Sequence, residues 1–216
     1  MPLPPGLALY QISVGHYVSR ALNVAVELEL AEQLEAGPRD CHELARAVEA
    51  HAPSLRRVLR LLASLGVFEE LEDGRFGLTP MADLLRADSE GSMQDMVKLM
   101  AGPGIQDSWK ELEYCVRTGQ PAFRKHSPDA DPFTQMSQDP EAAAVFDRAM
   151  ATFAPQTAAA VAAAYDFSVF ERIADVGGGN GAILCGLLKA YPKLKGFVFD
   201  QHHVVERAKA HVEAQA

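Results

Sequence analysis

Basic clusters are what this 216-residue sequence most plainly lacks: 20 Lys and Arg stand against 29 Asp and Glu, for a formal net charge of −9. Nucleic acid and anionic membranes both require a concentrated positive patch, so neither is expected as a main partner. Cysteine is scarce too. Cys41, Cys115 and Cys185 are odd in number, far apart and without a CxxC pair, which excludes a disulfide framework and a cysteine-based zinc site. They suit a reducing compartment. No apolar run reaches bilayer length, because Glu27 and Glu29 interrupt the best one. The stretch from Met1 to Tyr10 lacks the basic n-region of a secretory signal. A cytoplasmic location is therefore expected, and no internal repeat is present.

What remains is ordinary for a soluble globular protein, with 48% hydrophobic and 23% charged residues. Its length suits one large domain or two small ones. From Leu7 to about Leu34 apolar residues recur at helical spacing, until Gly37-Pro38 stops the run. Asp40 stands three residues before Glu43, the spacing of a capping box, and opens a second helix. Ser54 is placed to cap a third, in which Leu55, Val58, Leu59, Leu62 and Leu65 form one stripe and Gly66 ends the helix. Val67 to Leu71 and Arg75 to Leu78 read as strands of a hairpin around Asp73-Gly74. Helix, turn, helix, hairpin is the order of a winged helix.

Thr79-Pro80 starts the next helix, with threonine as cap and proline at the first helical position. Gly102 to Pro132 is richer in glycine, proline and polar residues, with a helical piece around Trp109 to Val116. Asp139-Pro140 opens a long alanine-rich helix that reaches Ala164 and should kink at Pro155. Its small side chains would let two helices approach closely. Arg172 to Val176 and Gly196 to Asp200 are the good candidates for buried parallel strands. Between them Asn180 to Tyr191 is a helix that Pro192 terminates.

The chemistry concentrates in the turn Asp175-Val176-Gly177-Gly178-Gly179-Asn180-Gly181. A strand runs into glycines that open a helix, where the chain must turn sharply and a side chain would hold a ligand off the backbone. Asn180 is a good N-cap. Gly177, Gly179 and Ala182 also satisfy the dinucleotide pattern G-x-G-x-x-[GA], with Asp200 at a suitable distance for a ribose contact. Charge separates the two ligands. A pyrophosphate would be repelled by Asp175, two residues before the first glycine, whereas S-adenosylmethionine (SAM) brings a sulfonium and an ammonium and no phosphate. Asp200, at the tip of the second strand, could accept from both ribose hydroxyls.

These residues, with Tyr191-Pro192, Gly196 to Asp200 and Val204 to Glu206, resemble the plant caffeate-type and bacterial antibiotic-tailoring O-methyltransferases. The stretches Leu55 to Arg60, Leu65 to Val67, Gly77 to Thr79 and Phe146 to Met150 fit the same family. The resemblance implies a mainly α winged-helix dimerisation domain over 1–100, helices of a linker and acceptor pocket over 101–166, and over 167–216 the β-loop-α-β start of an α/β Rossmann-like domain. It further implies that Gly177 and Asp200 contact SAM, with Asp175, Gly178 and Gly179 beside them. Phe146 and Met150 would pack on a small aromatic acceptor, and the N-terminal helices would form an intertwined homodimer. Trp109 is a further candidate for the acceptor site.

Two departures stand out. Gln201-His202 replaces the family's usual Leu-Pro, and the sequence ends at Ala216, before the later strands and catalytic histidine of the family. A fragment, a truncated chain or one part of a split enzyme is expected, weak as a catalyst on its own. No metal is expected, since His202, His203 and Glu206 make a poor ligand set. His16, His42, His51, His126 and His211 are scattered, and none is assigned as a base. Two other functions stay open at this point. One is a SAM-binding relative that hydroxylates or decarboxylates. The other is a winged-helix regulator reading DNA with Arg56, Arg57 and Arg60, although Glu69, Glu70, Glu72 and Asp73 make its wing acidic. An arginine face salt-bridged within a dimer is the plainer expectation for those three residues.

Overall fold

The structure, a computed structural model, describes residues 3–125 and 139–215. The chain divides into two compact units, residues 1–129 and 130–216. His126 and the end of the Gly102 to Pro132 stretch lie outside the described residues.

The first unit is helical with one hairpin. Helix α1 (Pro5–Ser13) and α2 (Gly15–Glu27) break at Val14, so the expected single run to Leu34 becomes two helices and a short 3-10 turn at Glu32–Leu34. Beyond α2, the Glu29 N–H bonds the Val26 carbonyl and the Leu30 N–H bonds that of Ala25. This paired closure turns the chain inward and buries Leu30 completely. In α3 (Cys41–Ala47) the Asp40 carboxylate accepts from the His42 and Glu43 N–H groups, so the expected cap forms. In α4 (Ala52–Ser64) the N-cap position falls on His51 rather than Ser54. Pro53 fits the first turn, where its missing N–H leaves no bond unmade, and that draws the helix start forward.

The stripe on α4 is buried through Leu55, Leu59 and Leu62. It packs with Val26, Leu30, Leu34, Leu44, Phe68 and Phe76 into one core. Strands β1 (Phe68–Glu70) and β2 (Phe76–Leu78) pair antiparallel around Asp73-Gly74. The Thr79 hydroxyl accepts from the Ala82 N–H at the start of α5 (Pro80–Asp83). Helices α6 (Gln94–Ala101), α7 (Pro103–Lys110) and α8 (Leu112–Thr118) follow.

Two arginines on the α4 face form ion pairs within the chain. Arg56 and Arg60 both reach the Glu70 carboxylate on β1, at 3.2 and 2.9 Å, and Arg57 donates to the Ser54 hydroxyl. Two of the three cations that could have met phosphate are thereby held by one acidic residue.

In the second unit α9 (Pro140–Ala151) begins with Asp139 accepting from the Ala142 N–H. The expected kink is a break. The helix ends at Ala151, and α10 (Ala154–Ala164) restarts with Pro155 in its first turn, where proline needs no donor. Strands β3 (Arg172–Val176) and β4 (Lys195–Phe199) are parallel, with Val176 opposite Phe199. Between them α11 (Ala182–Ala190) packs on α10 and on β4. Ala158 of α10 meets Gly186 of α11 so closely that a Cβ on Gly186 would lie 2.5 Å from the Ala158 methyl. Small residues do bring these helices together.

The strands are not buried on both faces as expected. Ile173, Asp175, Gly196 and Val198 are half-buried, while Val176, Phe197 and Phe199 on the opposite face are exposed. Among the described residues helices cover one face only, which gives the strict alternation of a one-sided sheet. The chain ends in α12 (His202–Gln215). Among the described residues no helix is long and apolar enough to cross a membrane.

Candidate functional site

The glycine turn follows the carboxyl end of β3. Gly177, Gly179 and Gly181 have φ of +73, +56 and +78°, conformations that an L side chain resists. A Cβ at Gly177 or Gly179 would meet no protein atom within 4 Å, so the backbone there lies open to a ligand. The Gly177 N–H extends the sheet ladder by donating to the Phe199 carbonyl at 2.8 Å. The Gly179 N–H donates to Asp200 Oδ2 at 2.9 Å, and Asp200 Oδ1 accepts the Gln201 N–H at 2.7 Å. Each oxygen of Asp200 thus has one backbone donor and a lone pair to spare.

Asn180 caps α11 from one position further back than expected. Gly181 is the N-cap, and the Asn180 side-chain oxygen accepts the Ala182 N–H at 3.1 Å. Its amide nitrogen reaches the Asp147 carbonyl of α9 at 3.5 Å.

The turn forms one wall of a cavity of about 510 Å³, a size suited to a cofactor-sized ligand. Asp175, Gly177, Gly178, Gly179 and Asp200 line it, and so do Phe146 and Met150 from α9. The structure therefore brings seven of the eight residues singled out in the sequence to one place. Trp109 is the eighth; it stands on α7 of the first unit with 64% of its surface exposed, and every lining residue belongs to the second unit. Burial, and then the negative charge of Asp200, raise the Asp175 carboxyl above its ordinary range. Two neighbouring carboxylates in a half-closed cavity favour a cation over a diphosphate.

Three charged or titratable lining residues are not among those the sequence singled out for the cavity: Asp147, His203 and Arg207. Asp147 and Arg207 are ion-paired at 2.7 Å across 60 residues of chain. Asp147 lies inside the Phe146 to Met150 stretch, and His203 lies four residues before Arg207 on α12. Such spacing also fits an ordinary solvated helix face. His202 is turned outward, 4.0 Å from Glu206. Among the described residues no group of three His, Cys, Asp or Glu could hold a metal ion.

A parallel β-loop-α-β unit whose ligand turn lies at the carboxyl ends of its strands defines a nucleotide-binding type of α/β protein. Comparison with known proteins gives the family. The O-methyltransferase domain matches residues 109–216, and the O-methyltransferase dimerisation domain matches residues 10–88. The chain belongs to the O-methyltransferase family. It is 39% identical over 206 residues to phenazine O-methyltransferase PhzM of Lysobacter antibioticus, covering 95% of this chain and 60% of that protein. The crystal structure of LaPhzM superposes with a TM-score of 0.90 at 38% identity, over 98% of this chain and 64% of that one. Human N-acetylserotonin methyltransferase, solved in complex with SAM, superposes with a TM-score of 0.87 at 28% identity, over 97% of this chain and 63% of that one. The chain thus spans 60% of the length of the phenazine enzyme it matches.

Proposed function

We propose that this chain carries the SAM site and the dimerising helices of an O-methyltransferase that methylates a hydroxyl of a small aromatic natural product. One observation supports this above the others. Asp175 and Asp200 flank an open glycine turn in a cavity that Phe146 and Met150 also line. When bound, SAM would supply an electrophilic methyl group on a cationic sulfur.

The residues divide the remaining work. Asp175 presents negative charge beside the turn, where a sulfonium and an ammonium gain and a pyrophosphate loses. Asp200 is oriented by its two backbone donors and offers its free lone pairs to ribose hydroxyls. Gly177, Gly178 and Gly179 keep the backbone within reach of the ligand. Phe146 and Met150 offer an apolar wall to an aromatic ring, and holding that ring in line with the methyl group is where most of the rate would arise. A phenol titrates near about pH 10, so a general base would assist, and no lining residue is assigned to that task.

In the first unit we propose a winged-helix arrangement, built from α3, α4 and the β1–β2 hairpin, that serves assembly. The exposed side chains of Leu9, Tyr10 and Ile12 on α1 would be covered in a homodimer. Calorimetry with S-adenosylhomocysteine (SAH) and with NAD tests the cofactor. Micromolar SAH binding without NAD binding is expected; tight NAD binding would remove the proposal. Transfer of label from SAM to a phenolic acceptor tests the reaction.

A further inference from the structure

Asp147 does not touch the glycine turn through its side chain, yet it joins three elements. Its carboxylate receives a forked contact from Arg207 of α12, 2.7 Å from Nε and 3.4 Å from Nη2. The Arg207 guanidinium is itself aimed by its own helix, since Nη1 donates to the His203 carbonyl at 3.3 Å. The Asp147 backbone carbonyl accepts from the Asn180 side chain, which belongs to the turn. The pair is well shielded, with 14% of the Asp147 and 32% of the Arg207 side-chain surface exposed. A paired, bidentate contact of this kind is stronger and more directional than a surface ion pair.

We propose that Asp147 and Arg207 are positioning residues: a latch that holds the Phe146 and Met150 face of α9 to the glycine turn. The inference rests on the reading of that cavity as the SAM site. Phe146 is adjacent to Asp147 in the chain, and Met150 lies one turn along the same helix. Any rotation of α9 about its axis would therefore move both away from the cavity. Ala143 and Ala149 on the same helix are buried but small and fix its distance better than its rotation. The latch supplies an angular constraint that a small alanine contact does not. It also compensates charge: without Arg207, Asp147 would be a third carboxylate in a cavity already holding Asp175 and Asp200.

Hydrogen exchange on the full chain, with and without SAH, tests this. In the unliganded protein, R207Q should raise amide exchange by roughly tenfold over 140–151 and 202–209. The rest of the second unit should change little. In the unaltered protein SAH should protect both the turn and α9. In R207Q it should protect the turn alone, with SAH affinity reduced by no more than about threefold. R207K, which keeps the charge, should recover part of the α9 protection, and the exchanged pair D147R/R207D should recover more. An ordinary structural ion pair would instead raise exchange across the whole unit or leave SAH-induced protection of α9 intact, and either result overturns the latch. If R207Q does not fold, R207K and the paired D147N/R207Q carry the same comparison. Failure of SAH to bind the unaltered protein would sink the cofactor reading; the unliganded comparison would then still decide whether α9 is latched.

Discussion

Gly179 donates its backbone N–H to Asp200 Oδ2 at 2.9 Å, so the turn after β3 is tied to the tip of β4. The bond holds a carboxylate that lines the cavity against the backbone of the glycine turn. Asp200→Ala should leave the Gly179 donor without its partner, costing about 1–3 kcal/mol of stability, and should remove SAH binding altogether. Asp200→Asn keeps the shape and an acceptor but loses the charge and one acceptor position. We expect it to fold and to weaken SAH binding by roughly ten- to a hundredfold in calorimetry. Undiminished binding by Asp200→Asn would contradict a role at the ribose.

Asp175 should make stability fall as pH rises. Burial, followed by the charge of Asp200, raises its carboxyl above the ordinary range. Between the ordinary and the raised value the folded protein holds a proton that the unfolded chain has lost. Unfolding therefore releases a proton in that window, and stability declines as pH increases through it. Asp175→Asn should flatten the dependence and raise Tm at neutral pH, while SAM binding weakens because the negative group is gone. Thermal melts across pH 3.5 to about 7, with calorimetry beside them, check both halves. A variant that loses stability at neutral pH would show that the charge is favourable without ligand.

Much of this site could be read from the sequence because its signals are local. The glycines, Asp175 and Asp200 announce themselves by type and spacing along one β-loop-α-β unit, and Asp73-Gly74 marks the hairpin in two residues. The Asp147–Arg207 pair could not be found that way. Its members are 60 residues apart, and each looks like a charge on a solvated helix. Periodicity also could not show how many layers cover a sheet, so β3 and β4 read as buried although Phe197 and Phe199 face outward. Pro155 read as a kink because a proline within a helical pattern is compatible with a bend or a restart, and only packing chooses between them.

Gly186 should not tolerate even a methyl group. A Cβ there would stand 2.5 Å from that of Ala158, with both helices already in contact. Gly186→Ala is expected to destabilise the second unit by about 1–3 kcal/mol, more than the helix propensity of alanine returns. Removing the opposing methyl should repair the clash, so A158G/G186A should recover much of the loss. Denaturant midpoints of the two single variants and the double variant measure the coupling. Simple additivity would mean that the helices separate freely and that the close approach is not required.

Two glutamates occupy positions that suit glycine. Glu29 and Glu49 have φ of +50 and +53°, each one residue beyond the C-cap of its helix. The Leu30 and Ala50 N–H groups then close back on the Ala25 and Ala45 carbonyls, a geometry that forces the left-handed conformation. Helix α4 ends with the same pattern but has Gly66 there, at φ +76°. A side chain in this region costs about 1 kcal/mol, partly offset by the greater freedom of glycine in the unfolded chain. Both glutamates are exposed, so no packing is lost on replacement. E29G and E49G should each move the urea midpoint of the first unit upward, by a stability increment of about 0.5–1 kcal/mol. The reverse change, G66A, should lower it by a similar amount. If E29G and E49G both unfold earlier than the unaltered protein, then the carboxylates hold the helix ends through interactions stronger than the backbone strain, and the account of these termini fails.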